Sequence, residues 1–142
     1  MSFNSKRILA HLRELELALF DWKRYQKYTL EEIAHNRDVQ NMVFHALLVA
    51  IQATIDVANQ IVIGISLRKP SSYREVFQIL VEEGMIEESL GKEMSDLAGF
   101  RNIIVHTYWK VNLKEVYNVL QKDLRKVEEF KDKVKALLAN AP

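Results

Sequence analysis

The sequence predicts an all-α protein, an up-and-down four-helix bundle with a short additional helix. Three observations lead there. Apolar residues recur at three- and four-residue steps along most of the chain. Four glycines and two prolines in 142 residues leave too little punctuation for a many-stranded fold. A capping residue also stands three positions ahead of a glutamate at three of the segment starts, Thr29/Glu32, Ser72/Glu75 and Asn112/Glu115.

The first helix is expected from about Ser5 to Lys27, on Ile8, Leu12, Leu15, Leu19 and Trp22. After YQKY, Thr29 and Glu32 make a T-x-x-E capping box and a fresh start. From about Arg37 to Ser66 no breaker appears before Gly64, so this stretch reads as one long central helix, apolar nearly all round and therefore buried on most faces. LRKPSS is the clearest loop, and Ser72 opens a helix that carries YREVFQILVEEG to Gly84. Another helix is expected from about Ile86 to Val105 or just beyond. The last opens at Asn112 and runs unbroken to about Leu138 on Val116, Val119, Leu120, Leu124, Val127, Phe130, Val134 and Leu137, with a solvated Lys/Glu outer face.

The totals limit function. The length suits one domain over residues 1–142. Twenty basic residues against nineteen acidic ones leave a formal charge of +1, so nucleic-acid binding would need a local patch, for which Lys110, Lys114 and Arg68 are candidates. Cysteine is absent, which excludes disulfides, thiol catalysis and thiolate-bound metal. The N-terminal stretch is not a signal peptide, because Arg13, Glu14 and Glu16 break its apolar run. HALLVAIQATIDVANQIVIGISL is long enough to span a bilayer, but Gln52, Asp56, Asn59 and Gln60 in its middle are costly in hydrocarbon. A cytoplasmic protein with no membrane partner is the expectation.

Polar residues interrupt two apolar helices. Gln52, Asp56, Asn59 and Gln60 form a polar stripe along the long helix. In GFRNIIVHTYWKV, residues 99–111, Arg101, Asn102 and His106 fall within an arc of about 140°, and Tyr108 returns to within about 20° of Arg101 if the helix continues that far. One reading is purely structural: Asp56 neutralises Arg101 across the core, His106 is a hydrogen-bonded helix residue and Tyr108 a packed aromatic. The other is chemical. Histidine exchanges protons near neutrality, and arginine keeps its charge and grips phosphate with paired donors. Together they suit metal-independent RNA cleavage, with two chains facing each other to supply two of each residue. His11, His35 and His45 have no ligand spacing with one another or with His106, so no metal site and no cofactor is expected.

LAGFRNIIVHTYWKVNLKEVY resembles the signature of the HEPN superfamily, in its HepT-like branch, which carries R-x-x-x-x-H-x-Y late in a helical bundle. Arg101, Asn102, His106 and Tyr108 match it in order and spacing, and IQATIDVANQIV resembles the family's second helix. The resemblance spans about the whole chain. It implies the toxin half of a type VII toxin–antitoxin pair: a homodimeric, metal-independent endoribonuclease whose composite cleft is lined by Arg101 and His106 of both copies. It further implies an MntA-type minimal nucleotidyltransferase as antitoxin, transferring AMP from ATP onto Tyr108. Asn102 is then a helper that orients His106 or contacts phosphate, and Asp56 a supporting residue suggested by the stripe. The family also contains non-nucleolytic members, so the alternative is a HEPN subunit that binds nucleotide or substrate for a nucleotidyltransferase.

Overall fold

In the computed structural model, which describes residues 4–66 and 68–140, every regular element is helical. The order is α1 (Ser5–Tyr25), α2 (Leu30–His35), α3 (Arg37–Ile65), α4 (Tyr73–Glu82), α5 (Glu88–Thr107), a 3-10 turn at Tyr108–Lys110, α6 (Leu113–Lys122) and α7 (Leu124–Ala139).

The expected starts are where the capping chemistry is. Thr29 and Glu32 close a reciprocal capping box on α2. Asn36 accepts the backbone N–H groups of Asp38 and Val39 at 3.0 and 3.2 Å and so starts α3 immediately after α2. Ser72 caps α4 by accepting the Glu75 N–H, while the Glu75 carboxylate takes both the N–H and the hydroxyl of Ser71. Those bonds from Ser71 hold the Glu75 carboxyl below its ordinary range. Gly84, at φ 73°, makes the turn out of α4 that a residue with a side chain would resist.

α3 is the axis of the bundle. It packs against α1 along its length and touches α4, α5 and α6. Val43, Leu47, Ala50, Ile51, Val57 and Ala58 are almost wholly removed from water, together with Trp22 of α1, Phe77 of α4 and Phe130 of α7. α3 is long and apolar enough to cross a bilayer by composition, yet most of it is buried inside the bundle. Gly64 does not end it; the helix stops at Ile65, where Ser66 donates its backbone N–H to Val62.

The fourth leg of the bundle departs from expectation. Rather than one helix from Asn112 to Leu138, the chain breaks between α6 and α7 at Asp123. The Trp22 indole N–H and the Gln26 amide both donate to the Leu120 carbonyl, at 2.8 and 2.9 Å. That carbonyl would otherwise accept the N–H of Leu124, so two side chains from the end of α1 take over the bond that would have continued the helix. Gln121 reciprocates by donating to the Gln26 carbonyl at 2.8 Å.

Candidate active site

α5 carries the arginine, the histidine and the amide, and its buried side explains their orientation. Leu90, Met94, Leu97, Ala98, Phe100 and Ile104 face the core. Arg101 and Val105, one turn apart, then face a groove of about 380 Å³ between α1, α3 and α5, lined also by His11, Glu14, Gln52 and Asp56. Asn102, Ile103 and His106 lie on the exposed side of the same helix. Asn102 stands about 100° from Arg101 and about 40° from His106 around the helix axis, so it bridges the two faces.

The guanidinium of Arg101 is held by neutral groups. Its Nη1 donates to Asn102 Oδ1 at 3.1 Å, and its Cζ lies 5.6 Å from the centre of the Tyr73 ring at the start of α4. Its Nε is buried with no acceptor among the described residues. Among the described residues Arg101 makes no ion pair; Asp56 accepts instead from Gln52 Nε2 at 2.9 Å, and the Gln52 Oε1 is left buried without a donor. The neutralising Arg101–Asp56 pair of the structural reading is therefore not formed. The Asn102 side chain accepts from Arg101 and makes no bond to His106. The His106 imidazole is exposed and makes no hydrogen bond among the described residues.

The helix does not continue as the Tyr108 phase required. Thr107 leaves helical geometry at φ −139°, its hydroxyl donates to the Ile103 carbonyl at 2.7 Å, and the 3-10 turn follows. Tyr108 sits in that turn, one residue beyond the end of α5, and its side chain lies outside the described part of the structure. Among the described residues no three His, Asp or Glu side chains converge as a metal ion would require.

Sequence reasoning missed the partners that other helices bring. Tyr73 bore no signal beyond its place after the Ser72 cap, because its meeting with Arg101 depends on how α4 docks on α5. His11 and Glu14 sit beside the buried stripe of α1 and carry no motif. Of the polar stripe, Gln52 and Asp56 line the groove, whereas Asn59 and Gln60 are not among its lining residues.

Comparison with known proteins gives this geometry a family. The family model described as Ribonuclease HepT-like matches residues 9–134. The mRNA nuclease HepT of Shewanella oneidensis is 36% identical over 98 residues, 69% of this chain and 74% of that one. The chain belongs to the HepT-like ribonuclease family.

Two solved structures extend the likeness to the whole HepT-like bundle. A toxin–antitoxin complex with AMP-PNP superposes with a TM-score of 0.84 at 27% identity, covering 92% of this chain and 98% of that one. The tri-AMPylated Shewanella oneidensis HEPN toxin in complex with its MNT antitoxin gives a TM-score of 0.82 at 28% identity, covering 91% and 96%. In this HepT-like chain the R-x-x-x-x-H-x-Y spacing thus has a structural meaning: it places the arginine at the groove, the histidine on the outer face of α5 and the tyrosine beyond the end of the α-helix.

Proposed function

We propose that this HepT-like protein is a metal-independent endoribonuclease toxin that acts as a cytoplasmic homodimer. The observation that carries the proposal is the Arg101 guanidinium, which makes no ion pair among the described residues, on the same helix as the exposed imidazole of His106 five residues on. A cation held by an aromatic face and an amide keeps its charge for a phosphate. The kinship with an mRNA nuclease supports RNA as the substrate.

His106 takes the proton from a ribose 2′-hydroxyl; the oxygen attacks the adjacent phosphorus and the bond to the 5′-oxygen breaks. The products are a 2′,3′-cyclic phosphate and a 5′-hydroxyl, the leaving oxygen receiving its proton from the protonated imidazolium of His106 in the second copy. Acid–base catalysis of this kind contributes about 10²–10⁴-fold. Arg101 stabilises the negative charge that grows on the phosphoryl oxygens, worth about 3–4 kcal/mol for a well-placed donor. Asn102 orients Arg101, and Asp56, through Gln52, shapes the groove wall.

Two features support a dimer. The groove offers one guanidinium against the carboxylates of Glu14 and Asp56, too little positive charge for a phosphodiester unless a second copy adds its own. Ile103, Val105 and Trp109 are also exposed around His106, an apolar rim suited to burial between copies.

The partner is a minimal nucleotidyltransferase of the MntA type, which places AMP on Tyr108 to close the site; the AMPylated relative bound to its antitoxin supports this.

Expression of the chain alone in a bacterial host tests the proposal. Wild type arrests growth, whereas Arg101→Ala and His106→Ala, recovered as folded protein of unchanged oligomeric state, do not. Unimpaired growth and intact RNA, together with tight nucleotide binding by the purified chain, would instead assign it to the non-nucleolytic binding subunits.

A further inference from the structure

We infer that Tyr73 is a positioning residue of the active site, whose ring seats the Arg101 guanidinium without neutralising it; this deepens the nuclease reading and rests on it. A carboxylate would hold Arg101 as firmly but would cancel the charge that a phosphate needs. An aromatic ring attracts the cation through its quadrupole and has no net charge to subtract. The ring centre is 5.6 Å from Arg101 Cζ, Asn102 occupies Nη1, and neither Glu14 nor Asp56 forms an ion pair with the guanidinium.

Packing does not explain Tyr73. It is 37% exposed and lies outside the core cluster. Its backbone, by contrast, is well anchored. Tyr73 is the first residue of α4, fixed by the Ser72 cap. The next residue fastens the tip of α4 to α5: Arg74 pairs with Asp96 at 3.5 Å, and its carbonyl accepts from Ser95 Oγ at 3.4 Å. Its guanidinium lies across Gly99, where a Cβ would collide with it. These contacts end two residues before Arg101, so the docking of α4 sets the ring against the guanidinium.

The test combines steady-state cleavage of a single-stranded RNA oligonucleotide with the proton–nitrogen spectrum of the arginine Nε–H groups, in unmodified wild type, Tyr73→Phe and Tyr73→Leu. The Arg101 Nε–H is buried, so it is expected to exchange slowly with water, and it is assigned by its loss in Arg101→Lys. Tyr73→Leu is expected to lower kcat by about 2–30-fold, the range that cation–π contacts span, with KM little changed. It is also expected to broaden the Arg101 signal. Tyr73→Phe restores both. A raised KM at unchanged kcat would overturn the inference and make Tyr73 a base-stacking contact, and a Tyr73→Leu variant with wild-type kcat and signal would overturn it outright. Absence of cleavage by the wild type defeats the nuclease reading, while the spectra still decide whether Tyr73 seats Arg101.

Discussion

Arg101 and Asp56 line one groove, from α5 and α3, and no ion pair joins them. Asp56 is half-buried and satisfied by Gln52, so removing the arginine strands no buried carboxylate. Breaking a true buried pair costs about 3–5 kcal/mol. Arg101→Gln is therefore predicted to lose RNA cleavage while changing unfolding free energy by less than about 1 kcal/mol. Urea titration of the two proteins checks it; a loss in the range of a broken buried pair would return Arg101 to a structural role.

The bond from Trp22 to the Leu120 carbonyl predicts a second outcome. Trp22→Phe keeps most of the apolar bulk but removes the indole donor, leaving Gln26 as the carbonyl's side-chain partner. The expected cost is about 1–3 kcal/mol of stability, seen as a lower urea midpoint. Hydrogen exchange should show the amides around Asp123 changing most, because the break between α6 and α7 depends on that carbonyl.

Glu16 of α1 and Lys135 of α7 meet at 2.8 Å, each about half exposed. The hydrogen bond from Lys135 holds the Glu16 carboxyl below its ordinary value, with the charges of Lys135 and Lys131 adding to the effect and partial burial opposing it. A depressed folded value means that the stabilisation is present above the ordinary carboxylate pKa and is lost as pH falls through the lowered one. Glu16→Gln should thus cost no more than about 1 kcal/mol near neutrality. The difference from wild type should shrink in thermal melts carried down through the acid range.

The cap residues explain why so much of the fold could be read from the chain. Thr29, Ser72 and Asn112 act within three residues of themselves, so local sequence sets the starts of α2, α4 and α6. The break at Asp123 was not legible, because its cause lies on α1, almost a hundred residues earlier, in the side chains of Trp22 and Gln26. The site divides the same way. Arg101, Asn102 and His106 share one helix and could be found by spacing, whereas Tyr73 meets Arg101, and His11 and Glu14 share its groove, only through docking of helices. The Asn102 side chain could turn to either neighbour, and sequence does not say that Arg101 takes it.

Modification makes a fourth prediction. Incubation with ATP and the proposed MntA-type nucleotidyltransferase should raise the intact mass by one or more AMP units and abolish RNA cleavage. Tyr108→Phe should block the first addition and escape neutralisation. AMP found on another residue in the wild type would move the control point away from Tyr108.

The proposed function has Arg101 and His106 cut RNA without a metal. Its most direct test is cleavage of total RNA in EDTA by purified protein whose intact mass shows no AMP, beside His106→Ala. Cleavage by the wild type alone, leaving 2′,3′-cyclic phosphate ends, is expected. Intact RNA after incubation with folded, unmodified wild-type protein, or equal cleavage by His106→Ala, would contradict it.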